Sequence, residues 1–211
     1  MKITWLGHSC FLLEDSKGHK LLTDPFDDTI GYEVYKGSPD IVTISHQHFD
    51  HNYTKELMGN YKVINKIGMS TIYDIPIKGI PSYHDKNKGA KRGDNIIFIF
   101  KMDGYCVCHL GDLGHSLSND DLSAIGSIDI LFIPVGGNYT INGKEASQVT
   151  KKINTKIVIP MHYKTSQVSL PLDGVEPFLM YMKNATKIGS NTLAINDEIK
   201  ETLAVKILNF I

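Results

Sequence analysis

Within six residues, His46-Gln47-His48-Phe49-Asp50-His51 supplies three imidazoles and one carboxylate that can hold a metal ion. If the segment is extended, residues 46 and 48 project the same way, while Asp50 and His51 arrive as the chain turns off, so one loop can serve two adjacent ions. Imidazole nitrogen combined with carboxylate oxygen suits zinc, and equally manganese or iron, better than calcium or magnesium, which prefer all-oxygen shells. The bland alternative is a set of solvated loop histidines or a half-site that orders one loop. Against it, further His and Asp residues recur at matching places later in the chain.

Those places are the ends of apolar runs. Ile41 to Ser45 leads into His46, Ile80 to Tyr83 into His84, Tyr105 to Gly111 into Asp112, and Ile157 to Met161 into His162. Strand ends in layered α/β folds face a common crevice where ligands collect, so the four polar ends are expected to converge. The wider pattern agrees. Short runs rich in Ile, Val, Phe and Leu at 2–6, 10–14, 20–23, 41–45, 76–83, 95–101, 104–109, 129–135, 156–160 and 202–208 read as strands. Lys101-Met102-Asp103-Gly104 carries the Asp-Gly signal of a tight hairpin. Helical spacing falls at 52–59, 117–125, 144–153 and 173–183, with Ser118, Asn142 and Asp173 near the starts. Strands crowding the first half and alternating with helices in the second predict sheets covered by helices. With 211 residues and no repeat or linker, residues 1–211 are expected to form one domain.

Composition narrows the partners. Apolar residues make up 42% and charged residues 21%, and 22 basic against 23 acidic residues leave a net charge of −1. That balance argues against a protein that coats nucleic acid or an anionic membrane. Cys10, Cys106 and Cys108 form neither a disulfide framework nor a CxxC metal site. There is no apolar leader and no run of about 18 apolar residues, so a cytoplasmic setting is expected. Oligomeric state is not legible.

With these residues in view, the chain resembles the metallo-β-lactamase-fold hydrolases. The resemblance rests on Leu22-Thr23-Asp24-Pro25, the His46 to His51 motif, Tyr83-His84-Asp85, Leu110-Gly111-Asp112 and Pro160-Met161-His162-Tyr163, which occur in the family's order. More narrowly, Thr4 to Phe11 and Pro134-Val135-Gly136-Gly137 look like small stand-alone bacterial Zn-dependent hydrolases of this fold, a branch related to L-ascorbate-6-phosphate lactonase. The resemblance implies an αββα sandwich with the site at one edge. It also implies two divalent transition-metal ions, with zinc foremost. His46, His48 and His84 would bind the first ion, Asp50, His51 and His162 the second, and Asp112 would bridge, which makes Asp50 and Asp112 the carboxylates on which catalysis depends. Asp24 would brace the metal loop. His8 is either a structural hydrogen-bonding group or a neighbour of the substrate.

Other polar residues are open. His109 lies inside a predicted strand and reads as a satisfied core or supporting histidine, while His115 lines the pocket or faces solvent. His19 sits in a surface turn. Gly136-Gly137-Asn138-Tyr139 offers backbone N–H groups or a Tyr hydroxyl to an oxyanion or leaving group, or is an ordinary turn. The loop 86–92, with Lys88, Lys91 and Arg92, together with Lys164, is placed to attract phosphate or carboxylate, or is simply solvated. No Gly-x-Ser-x-Gly elbow is present, which favours hydrolysis by metal-activated water, with an apparent pKa near 7, over covalent catalysis. The expected substrate is a small, anionic ester, lactone or phosphodiester. The alternatives are a metal-binding protein without turnover and a di-iron redox protein that needs a flavin partner.

Overall fold

A computed structural model describes residues 1–153 and 155–210. The chain first lays down β1 (Lys2–Gly7), β2 (Cys10–Glu14), β3 (Lys20–Thr23), β4 (Ile41–Thr43) and β5 (Lys62–Ile64). It continues through β6 (Gly68–Ile72), β7 (Ile75–Tyr83), β8 (Asp94–Met102), β9 (Tyr105–His109), α1 (Asn119–Ile125), β10 (Ile130–Pro134), α2 (Gly143–Ile153) and β11 (Ile157–Met161). It finishes with α3 (Glu176–Leu179), β12 (Ala185–Lys187), β13 (Thr192–Ala194) and β14 (Ala204–Ile207). Two mixed sheets result, of six strands in the order β13-β1-β2-β3-β4-β5 and eight in the order β12-β14-β11-β10-β9-β8-β7-β6.

The inner faces of the sheets share one core, in which the Phe11 ring of β2 stacks on Phe132 of β10 at 4.1 Å. β10 and β11 are buried along their whole length, as parallel strands covered on both faces must be, which explains their unbroken apolar runs. α2 covers this larger sheet with Ala146, Val149 and Ile153. The predicted helix starts at Ser118 and Asn142 hold. Ser118 and Asp121 form a reciprocal capping box, and Asn142 with Glu145 forms another. The outer face of the smaller sheet is covered by loops instead, where Phe26, Ile30, Tyr32, Val168 and Leu172 pack on Leu22 and Val42.

Two predicted helices are corrected. Residues 52–59 form turns, because Tyr53 N–H donates to Pro25 O and Met58 N–H to Gly37 O, which removes the i to i−4 ladder from a stretch already weakened by Tyr53 and Thr54. Of 173–183 only Glu176–Leu179 is helical. Asp173 is held outside the helix by its backbone bonds to Gly136 and Lys164. Four short strands, β5, β6, β12 and β13, escaped the sequence pattern because they are largely exposed and lack its apolar runs. Among the described residues no helix is long and apolar enough to cross a membrane.

The pairing fixes where the polar ends go. β1, β3 and β4 run in one direction in the smaller sheet, and β7, β9 and β11 share a direction in the larger one. The chain beyond these six strands carries His8, Asp24, His46, His84, Asp112 and His162 in turn. His162 N–H donates to His8 O at 3.2 Å, so the ends of β1 and β11 meet across the two sheets.

Candidate metal centre

The centre is a buried cluster at that shared edge. His46, His48 and His84 present ligand atoms within 4.8 Å of one another, and His8, Asp50, His51 and His162 form a second such group. Asp112 stands between the two. Its Oδ2 lies 3.2 Å from His84 Nε2 and 4.0 Å from His46 Nε2 on one side, and 3.3 Å from His51 Nε2 and 3.1 Å from His162 Nε2 on the other. His48 alone of the seven expected ligands is exposed, at the mouth of the site.

The backbone is strained where it delivers these side chains. His8 (φ 51°), Asp24 (φ 38°) and His162 (φ 51°) are all left-handed and follow directly on β1, β3 and β11. Such conformations cost of order 1–3 kcal/mol each for residues with a Cβ, and they persist where the surroundings impose them. Gly111 provides the same kind of turn before Asp112. A Cβ on it would come within 2.3 Å of Asn95 Oδ1 and 2.7 Å of Ser45 Cβ, at φ +55°.

A hydrogen-bond network sets the tautomers. The Asp24 carboxylate accepts from Ser45 N–H (2.8 Å), Ser45 Oγ–H (2.6 Å) and His51 Nδ1–H (2.9 Å). With its own proton committed to Asp24, Ser45 Oγ accepts from His46 Nδ1–H at 2.9 Å. Both His46 and His51 therefore offer a bare Nε2, and neither atom has a partner in the protein. Because its acceptors are taken in this way, Asp24 supports the centre and does not found a third site with His46 and His51.

Electrostatics agree with a site built for cations. Burial lowers the His46 imidazole to about 3, with His51 adding to the effect, and burial followed by the His162 charge lowers His8 to about 4. At neutral pH both are uncharged. Burial opposes ionisation of Asp112, yet His162 and His51 hold its carboxyl well below the usual range. Asp50 is held low against burial by the neighbouring His51 charge and by the hydrogen bond from His8. Without an ion, Asp112 and Asp50 outweigh burial and push His51 well above its ordinary value, so a metal at His51 Nε2 would take the place of a proton there.

The fit to metal can be read from what lacks a partner. His46 Nε2, His51 Nε2, His84 Nδ1, both His162 nitrogens and Asp112 Oδ1 are buried without hydrogen bonds. Orphaned polar atoms of this kind are costly unless something fills the space between them. Nitrogen and carboxylate donors gathered on two sides of one shared carboxylate fit transition-metal binding.

Several expectations are refined. His109 donates from Nε2 to Ser9 O (2.9 Å) and accepts at Nδ1 from Gly111 N–H (3.1 Å), which leaves no nitrogen for a metal. His115 accepts from Tyr83 N–H and donates to Ser116 O, so it ties down the end of β7 and does not line the pocket. The backbone N–H groups of Gly136 and Gly137 are bonded to His162 O and Ile141 O, so neither is free for an oxyanion, while Tyr139 lines the cavity over the centre. Lys164 is directed to the carbonyls of Val168 (2.6 Å) and Leu170 (3.2 Å), not to the site. His8 makes a buried hydrogen bond, with Nε2 3.2 Å from Asp50 Oδ2. Ser45 and Asn95 were missed. Asn95 Oδ1 accepts from Asp112 N–H (2.9 Å), while its Nδ2 donates to Ser82 Oγ and Leu110 O. A lone Asn opening the apolar 95–101 run was the available signal.

The two-sheet fold and the paired His/Asp clusters at its edge define a metal-dependent hydrolase of the metallo-β-lactamase type. A β-lactamase superfamily domain model matches residues 2–162. A UPF0173 metal-dependent hydrolase of Methanoregula boonei is 34% identical over 202 residues, covering 78% of this chain and 83% of the relative. A UPF0173 protein of Pyrococcus furiosus is 32% identical over 182 residues, covering 78% and 84%. The crystal structure of a candidate Zn-dependent hydrolase of the metallo-β-lactamase superfamily from Thermotoga maritima superposes with a TM-score of 0.83 at 41% identity, covering 98% of this chain and 97% of that one. The chain belongs to the UPF0173 metal-dependent hydrolase family of the metallo-β-lactamase superfamily.

Proposed function

We propose that this chain hydrolyses a small, anionic ester, lactone or phosphodiester with two divalent transition-metal ions, zinc foremost. His46, His48 and His84 would hold one ion, Asp50, His51 and His162 the other, and Asp112 both. The observation that carries the reading is the position of Asp112 Oδ2, within 3.1 to 4.0 Å of four imidazole nitrogens drawn from both groups. Bound divalent metal lowers the pKa of water from about 15.7 to near 7 and so supplies a nucleophile at neutral pH.

The protein's own part is to keep the His46 imidazole neutral by burial, to fix the orientation of His46 and His51 through Asp24 and Ser45, and to hold two anionic carboxylates, Asp50 and Asp112, in the wall of one cavity. The Thr4 to Phe11 and Pro134 to Gly137 segments make a sugar-phosphate lactone a sensible first substrate. The test is a panel of phosphodiesters, lactones and thioesters run on protein of measured metal content. Turnover that rises with metal occupancy up to about two ions per chain is expected. Saturation at one ion, or turnover unaffected by removing metal, would refute the dinuclear hydrolase.

A further inference from the structure

We propose that Arg92 selects the substrate, and that the substrate carries its anionic group beside an apolar one, remote from the bond that breaks. This rests on the hydrolytic reading of the centre and narrows it. A cavity of about 360 Å³ opens over His84 and Asp112, within the range of about 300–1,000 Å³ typical of small-molecule pockets. His48 and Asp50 join them at the metal-facing side, and the rest of the wall comes from Phe49, Lys91, Arg92, Tyr139 and Leu170.

The basic residues near this cavity are not equivalent. Lys86 is paired with Glu145, Lys164 is bonded to backbone carbonyls, and Lys88 does not line the cavity. Lys91 and Arg92 do line it, and among the described residues neither has an acidic partner within ion-pair distance. The Arg92 guanidinium lies over the Tyr139 ring, 5.3 Å from its centroid. Stacking restrains the plane of the group and leaves its edge N–H fork for a carboxylate or phosphate oxygen pair.

The loop that presents Arg92 is fixed from below. The Asp85 carboxylate, itself buried, accepts four backbone N–H bonds, from Asn87 (2.7 Å), Gly89 (3.1 Å), Lys91 (2.9 Å) and Arg92 (2.7 Å). Asp85 adjoins His84, so one two-residue unit places a metal ligand and the cation together. The charge is therefore held in place and not carried on a wandering surface side chain.

The apolar half is equally specific. Phe49, within the metal-binding motif, is 53% exposed, an unusual position for a ring of that size. Leu170 also lines the cavity, on a loop that Lys164 clamps. An apolar substituent lying on Phe49 and Leu170 would cover surface now open to water, while Arg92 holds the adjacent anion and the centre faces the scissile bond.

The test is calorimetric titration of the metal-loaded protein with phenylphosphonate and with methylphosphonate. Wild type should prefer phenylphosphonate. Arg92→Gln should weaken both by about tenfold or more, and Arg92→Lys should recover only part, since an ammonium cannot fork. Phe49→Ala should weaken phenylphosphonate alone. Unchanged binding by Arg92→Gln would show that the metals hold the anion unaided and would overturn the proposal, as would equal losses of both ligands in Phe49→Ala. Thermal midpoints of each variant separate a folding defect from a recognition defect. Because binding is read without turnover, failure here is distinct from failure of the hydrolysis panel.

Discussion

Asp24 sets the protonation of His46 through a single intervening hydroxyl, although the two side chains do not bond directly. Ser45 Oγ donates to Asp24 Oδ2 at 2.6 Å and accepts from His46 Nδ1 at 2.9 Å. The same carboxylate accepts directly from His51 Nδ1 at 2.9 Å. One buried anion thus orients an imidazole in each half of the centre.

Replacing this anion with its amide should therefore affect both ions. Asp24→Asn keeps the shape but faces a donor with an N–H group, and outer partners of this kind typically change metal affinity by about 10–100-fold. Ser45→Ala should act mainly on the ion held by His46. Competition against a chelator measures both. Unaltered affinity in Asp24→Asn would remove Asp24 from the centre's design.

Asp112 and His109 lie three residues apart and should behave oppositely. Asp112→Ala removes the carboxylate shared by both groups and should abolish turnover and lower the ion count, with the fold retained. His109→Ala leaves Ser9 O and Gly111 N–H buried without partners, at about 1–3 kcal/mol for each orphaned group. It should lower the urea midpoint while the remaining folded protein still binds two ions. Exchange of these phenotypes would show the ligand assignment to be wrong.

The turn between them is tested by Gly111→Ala. A Cβ at this position meets Asn95 Oδ1 at 2.3 Å and Ser45 Cβ at 2.7 Å, and φ is +55°. The backbone strain alone costs of order 1–3 kcal/mol. Relief requires moving either Asn95, which positions Asp112, or Ser45, which positions His46. Stability and metal affinity should therefore fall together, and loss of one without the other would contradict this coupling.

The His and Asp cluster at the shared edge was legible because metal chemistry needs particular side chains, and strands that end in such residues leave a pattern in one dimension. The network behind them was not. Ser45 and Asn95 are common residues whose roles arise only when β4, β8 and the turn after β9 pack side by side. The basic residues were legible as charges but not as contacts. Lys164, two residues past His162, could be seen to turn to the Val168 and Leu170 carbonyls only once that loop was placed. Residues 52–59 carried helical spacing, yet the carbonyls that capture their N–H groups belong to Pro25 and Gly37, distant in sequence.

Acid should destabilise the metal-free protein well before its carboxylates titrate. Burial holds His46 at about 3 and His8 at about 4 in the folded chain, whereas both titrate at 6.5 when unfolded. Between those values the unfolded state binds more protons, so stability is fully present above 6.5 and declines as pH falls toward 4. Below 3.8 the carboxylates of Asp50 and Asp112, held low in the fold, extend the loss. His51 acts in the opposite sense. Its raised value contributes stability below 6.5 that disappears as pH climbs through the folded pKa, so the metal-free optimum should sit near neutrality. Bound ions need the same nitrogen lone pairs, so their added stabilisation should be large at pH 7.5 and shrink as protons compete for the imidazoles. Thermal midpoints with and without chelator from pH 5 to 8 measure both effects. The expected result is a metal-free midpoint that falls between pH 6.5 and 5 and a metal-dependent increment that narrows over the same range. A metal-free midpoint that stays level over this interval would mean that the imidazoles of His8 and His46 are not held neutral by burial.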